Sequence, residues 1–126
     1  MNKTLLQVSA AVELGAGTAL VLVPTAIVGL LIGGSVDSPT AFAVTRLAGA
    51  ALMTLGLVCW FASRDSESRA AIGVVTAMSF YNAAAAGVLL YARFGTELSG
   101  LGLWPAIVLH SALAAWCLAG ARRTAV

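Results

Sequence analysis

The chain is poor in charged residues, and this scarcity excludes most kinds of soluble protein. Only 10% of its 126 residues are charged, whereas 60% are hydrophobic, and the mean hydropathy is +0.97. Water-soluble domains carry about a quarter charged residues, so a disordered chain, a coiled coil and almost any soluble globular enzyme are excluded. The net charge is only +2, with no run of Lys and Arg to hold a phosphate backbone, so we expect no nucleic-acid partner.

Metal ligands and redox pairs are also scarce. The two cysteines, Cys59 and Cys117, are far apart and form no C-x-x-C motif, which argues against a thiol oxidoreductase built on a cysteine pair. One histidine, His110, and one glutamate within the apolar segments cannot complete a typical metal site. We therefore expect no metal and no cofactor, and we interpret the cysteines as small apolar packing residues.

Long hydrophobic runs are abundant instead. At about 20 to 25 residues per crossing, the length allows four membrane spans, which we place at about 4–23, 39–63, 70–92 and 103–121. Pro24 interrupts the first run, which predicts a short interfacial helix at 24–32, the alternative being one kinked helix. The prediction is an all-α integral membrane four-helix bundle, up-down-up-down, in a single domain over residues 1–126.

The distribution of basic residues predicts the orientation of the bundle. Lysines and arginines outside the spans fall mostly on one side, at Lys3, Arg64, Arg69, Arg122 and Arg123. Only Arg93 falls on the other side. Since cytoplasmic loops are enriched in Lys and Arg, we expect a multi-pass protein of the bacterial inner (plasma) membrane with both termini in the cytoplasm.

Rows of small residues every four positions predict close contacts between helices in lipid. Such rows are Ala11, Gly15 and Ala19 on the first span, Ser79, Ala83 and Gly87 on the third, and Ser111, Ala115 and Ala119 on the fourth. They predict a tight bundle without assigning partners to each helix.

Each span carries one strongly polar residue away from its ends: Glu13, Arg46, Asn82 and His110. Glu13 lies about nine residues from the cytoplasmic end, near the middle of the membrane. The other three lie roughly 10 Å from the outer end, by the helical rise per residue. Four separate helices thus place polar groups in a common layer of the outer half.

This polar layer is the main functional signal. Polar and charged residues inside a membrane face the bundle interior or water, and they are functional-site candidates by default. We expect Glu13 and Arg46 to form a charge-assisted pair, with Asn82 and His110 completing the hydrogen bonding. The structural alternative is that the pair only fixes which helices meet.

The leading hypothesis is a pocket in which Glu13, Arg46, Asn82 and His110 bind a small hydrophobic or amphipathic molecule. If the site performs acid–base chemistry, Glu13 and His110 are the proton-transfer candidates. One rival is a proton- or ion-coupled transporter that uses Glu13. A second rival is an accessory subunit of a membrane complex. Membrane lipids are expected neighbours under all three hypotheses, and a second copy or another membrane protein is the partner to test.

Three short motifs of the sequence resemble those of small uncharacterised four-helix bacterial inner-membrane proteins. These are the E-L-x-x-G-like step that starts at Glu13 and leads to Pro24, the R-x-x-G step that starts at Arg46, and a last span that opens Trp104-Pro105 and contains His110. The resemblance implies a four-span fold and treats the polar residues as a set, without implying an activity.

Glu13 also occupies the position of the first-span glutamate in small multidrug transporters, which are four-helix chains as well. The rest departs from that family, because Arg46 is expected to neutralise the carboxylate that an exchanger needs free. The aromatic-and-glycine signature of the third span is also missing, since this span reads Ser79-Phe80-Tyr81-Asn82 followed by four alanines.

Overall fold

The computed structural model describes residues 2–123, with side chains as far as Ala121. All regular secondary structure in this part of the chain is helical, and it contains no strand. The helices are α1 (Asn2–Leu22), α2 (Pro24–Ile32), α3 (Pro39–Ala62), α4 (Arg69–Gly95) and α5 (Leu103–Arg123), and a 3-10 turn at Ser63–Asp65 extends α3. Four of these helices are long and apolar enough to cross a membrane. The predicted four-span helical bundle is confirmed.

Local signals in the sequence explain where the helices start and stop. Pro24 opens α2 as its first residue, after Val23 leaves the helical conformation at φ −132°, so the run forms two helices and not one kinked helix. Gly33 ends α2 in the left-handed region at φ 71°, where glycine is least strained. Ser38 caps α3 by accepting from the amide of Ala41, as its position before Pro39 predicts.

The four long helices pack as two antiparallel pairs, α1 with α3 and α4 with α5, and far fewer contacts join the pairs. Glycines bring α1 and α3 together. A Cβ added at Gly17 would lie 2.6 Å from the carbonyl oxygen of Gly49, and one at Gly56 would lie 2.9 Å from the backbone nitrogen of Leu14. Backbones this close leave no room for a side chain on the contact face.

The small-residue row predicted for the first span is wrong as a contact face. A Cβ at Gly15 would meet nothing within 4 Å, and Ala11 is exposed. The α1–α3 contact runs through Gly17 instead, on another face of the same helix. Because α1 is apolar on most sides, its sequence does not identify the face that packs.

One half of the bundle contains the start of α1 and the end of α5, and we call it the terminal half. Gly120 there lies against Asn2 and Leu5. Its core combines side chains from all four long helices: Leu5, Leu6, Ala10, Cys59, Ala71, Val75, Met78, Leu113 and Cys117. Both cysteines are free and fully buried, as expected of packing residues.

The opposite half, which we call the distal half, is covered by α2 and by the loop at 96–102. Helix α2 contacts all four long helices. The amide of Gly102 donates to the carbonyl of Leu30 over 2.8 Å. Gly100 lies so close to Leu31 that a Cβ there would be 2.4 Å from its carbonyl carbon. Backbone contacts therefore fasten α2 across the end of the bundle.

Candidate functional site

A cavity of about 650 Å³ lies in the distal half, between the two helix pairs. Every helix contributes to its wall, through residues such as Ala16, Ile27, Leu52, Ala85 and Leu109. Some lining residues, including Val88, which is 67% exposed, also reach the outer surface, so the cavity is open at that edge. Among the described residues that line it, only Glu13, Tyr81 and His110 carry polar side chains.

These three polar residues lie at one level, between the core of the terminal half and the apolar wall of the distal half, and we call them the floor. Helix α1 supplies Glu13, which is only 1% exposed. The hydroxyl of Tyr81 on α4 donates to Oε2 of Glu13 over 3.3 Å. The other carboxyl oxygen, Oε1, is buried and has no hydrogen-bond partner within residues 2–123. The floor thus contains a carboxyl oxygen whose hydrogen bonding is incomplete.

A second side-chain hydrogen bond, behind the floor, joins α4 to α5. Asn82 is fully buried, and its Nδ2 donates to the carbonyl of Met78 over 2.8 Å. Its Oδ1 lies 2.8 Å from Nδ1 of His110. The His110 ring also meets the ring of Tyr81 edge-on, with centroids 5.9 Å apart. Asn82 does not line the cavity. Its hydrogen bond orients the ring of His110, which does.

The expected Glu13–Arg46 pair is wrong. The side chain of Arg46 is exposed, its Nε donates to the carbonyl of Val21 over 3.3 Å, and its guanidinium lies 5.9 Å from the centre of the Phe42 ring. The last carbonyls of a helix lack intrahelical donors and carry partial negative charge. Arg46 therefore compensates the end of α1, next to the break before Pro24, and does not line the cavity.

Of the four residues predicted as a binding set, the structure brings Glu13, Asn82 and His110 together and leaves Arg46 outside. Tyr81, which was not in the predicted set, contacts both Glu13 and His110. Its position directly before Asn82 indicates this role, because adjacent residues on a helix point in different directions. Tyr81 therefore reaches α1 while Asn82 reaches α5. The four alanines 83–86 were a second signal, since small side chains next to a polar layer leave space.

The chemistry available at the floor is hydrogen bonding and proton exchange. No group of three or more His, Cys, Asp or Glu side chains that could hold a metal ion occurs within residues 2–123. Comparisons of the chain with protein-family models, curated proteins and solved structures find no match. The geometry of the cavity and its floor is therefore the basis for assigning a function.

Proposed function

We propose that the protein binds a small hydrophobic or amphipathic molecule in the cavity of the distal half. The observation that carries the proposal is the arrangement of the cavity, with an apolar wall from five helices and polar side chains grouped at one end. An apolar ligand body would contact the wall, while Glu13, Tyr81 and His110 would orient its polar group. Asn82 supports this role by holding His110.

The dimensions of the cavity support binding. Small-molecule sites measure about 300–1,000 Å³ and combine apolar walls with a few convergent polar groups, and this cavity measures about 650 Å³. Its open edge at Val88 faces the surroundings of the bundle, which in a membrane are lipid tails. A hydrophobic ligand could therefore enter sideways from the bilayer.

Native mass spectrometry of protein extracted with minimal delipidation tests the proposal. We expect a discrete small-molecule adduct on the wild type and its loss in Ala85→Leu, which fills the wall, and in Glu13→Met, which removes the carboxyl group from the floor. The matched controls are Ala83→Leu, on the same helix but outside the cavity, and Glu67→Met, which removes an exposed carboxylate outside the spans.

Two results would contradict the proposal. An adduct that persists unchanged in Ala85→Leu would be bound elsewhere. Absence of an adduct, together with defined membrane-protein subunits that co-purify with every variant, would favour the accessory-subunit hypothesis and a structural role for the floor.

A second candidate function is a proton- or ion-coupled transporter. The observation that favours it is the position of Arg46, which leaves the carboxyl group of Glu13 without a basic partner in the described part of the chain. A carboxyl group that no cation neutralises is what proton-coupled exchange requires. In proteoliposomes, this candidate predicts substrate-dependent proton movement that Glu13→Gln abolishes and Glu67→Gln preserves. Equal proton movement in both variants would exclude a role for Glu13.

We propose the bacterial inner membrane as the location, with both termini in the cytoplasm. The support is the sequence asymmetry, since Lys3, Arg64 and Arg69 lie on the side of the terminal half, whereas Arg93 lies on the other. Cysteine accessibility at engineered positions tests the orientation. Ser66→Cys should be labelled only after the membrane is permeabilised, whereas Ser99→Cys should be labelled in intact cells.

A further inference from the structure

We infer that the polar group of the bound molecule is a hydroxyl, so that the ligand is an aliphatic or polycyclic alcohol. This inference rests on the proposed binding function and names the class of ligand. It follows from which atoms of the floor are already hydrogen-bonded and which are not.

The side chain of Asn82 determines which nitrogen of His110 carries the hydrogen. Nδ2 of Asn82 donates to Met78, so Oδ1 is the atom that faces His110. A carbonyl oxygen can only accept, and Nδ1 of His110 must therefore donate to it. In the neutral imidazole, Nε2 then carries a lone pair, and no hydrogen bond to Nε2 forms within residues 2–123. His110 thus offers an acceptor at the cavity.

Glu13 on α1 offers a second hydrogen-bonding group at the floor. Its Oε2 accepts from Tyr81, whereas its Oε1 has no partner within the described residues. Oε1 accepts a hydrogen bond when the carboxyl group is ionised, and the acid can donate one when it is neutral. Tyr81 contacts both Glu13 and the ring of His110, so the two incomplete groups flank the same phenol.

A hydroxyl group completes both hydrogen bonds when Glu13 is neutral, because it can donate to Nε2 of His110 while it accepts from the acid. We assign the neutral form to Glu13, since its side chain is 1% exposed and has no basic partner within the described residues, and an unpaired carboxylate is costly to bury. An ether or a ketone only accepts and leaves the lone pair on His110 unpaired. An ammonium group only donates and requires an ionised carboxylate. The rest of the wall is apolar, so it fits the hydrocarbon part of such an alcohol.

The test uses three photoactivatable probes that share one dodecyl chain with a diazirine and differ only in the head group: the alcohol, its methyl ether and the primary amine. The protein is labelled in lipid nanodiscs, and labelled peptides are mapped by mass spectrometry. We expect the alcohol to label cavity-lining peptides on the order of tenfold more than the ether, as one additional buried hydrogen bond implies. Excess unlabelled dodecanol should compete with this labelling.

His110→Asn is the sharpest variant, because its amide can still donate to Asn82 from the position of Nδ1 but offers nothing in the place of Nε2. We expect it to reduce the preference for the alcohol to within about twofold while ether labelling persists, which shows that the cavity is intact. Glu13→Met should also lower the preference, because it removes the group that donates to the hydroxyl, whereas the exposed control Glu67→Met should keep it.

The outcomes separate this inference from the proposed function. Equal labelling by alcohol and ether, stronger labelling by the amine, or an unchanged preference in His110→Asn would overturn the hydroxyl assignment and leave a cavity that binds apolar molecules. Labelling that dodecanol does not compete and that Ala85→Leu does not reduce would overturn binding in the cavity altogether.

Discussion

The two halves of the bundle are stabilised in different ways. In the terminal half, side chains from both helix pairs form one core. Leu5 of α1, Val75 of α4 and Cys117 of α5 are fully buried in it. In the distal half, α1 and α3 remain closely packed, as at Gly17 and Gly49, but the space between the two pairs is a cavity. The floor lies where the packing between the pairs ends.

This difference teaches how a small membrane protein can be both stable and hollow. Lipid tails are as apolar as leucine, so helices in a membrane associate through close packing and hydrogen bonds. Concentrating the packing in the terminal half leaves the distal half free to keep a cavity. The hydrogen bonds of Glu13 with Tyr81 and of Asn82 with His110 then connect helices at the boundary.

The largest expected effect comes from breaking the contact within a pair. Gly17→Ala would place a Cβ 2.6 Å from one backbone atom of α3 and 2.7 Å from another. Because neither atom belongs to a flexible side chain, we expect a loss of about 3 kcal/mol, the upper end for overpacking. Gly15→Ala is the matched control, since its Cβ meets nothing within 4 Å. Unfolding in denaturing detergent measures both, and equal losses would show that the α1–α3 contact lies elsewhere.

Truncating leucines compares the two halves directly. Leu5→Ala removes a fully buried side chain from the core of the terminal half. We expect a loss of about 2 kcal/mol, the low end for such truncations, because lipid supplies no hydrophobic transfer term. Leu89→Ala removes a leucine from the cavity wall, where packing partners are already missing on one side, and should cost less than about 1 kcal/mol. Equal losses in detergent unfolding would mean that the distal half is packed as tightly as the terminal half.

Arg46 gives a smaller effect and tests why it lies outside the floor. Arg46→Met removes the donor to the Val21 carbonyl at the end of α1, and we expect a loss of about 1 kcal/mol. Hydrogen exchange should rise at the corner between α1 and α2. In a double-mutant cycle with Glu13→Gln, the two losses should add to within about 0.5 kcal/mol, as for residues without contact. A larger coupling energy would restore the Glu13–Arg46 pair.

The contrast between Arg46 and Ser38 shows how far sequence reasoning reaches. The N-cap at Ser38 and the break at Pro24 could be predicted because these signals act on their own backbone neighbours. The common level of Glu13, Asn82 and His110 along the bundle could be predicted as well, because the helical rise converts residue counts into height. The direction of Arg46 could not, because it depends on the rotation of α3 about its axis. A helix that is apolar on all sides has no stripe that indicates this rotation.

The smallest expected effect comes from filling the cavity. Ala85→Leu adds apolar atoms to the wall, where the empty space can accept them. We expect a gain of about 0.5 kcal/mol, typical of cavity filling, whereas Ala83→Leu, on the exposed side of α4, should change stability by less than that amount. Detergent unfolding of delipidated protein measures the intrinsic effect, because a bound molecule would stabilise the wild type and mask it. A marked loss in Ala85→Leu alone would show that the helix pairs close on each other in the empty protein, and the hollow distal half would then exist only around its ligand.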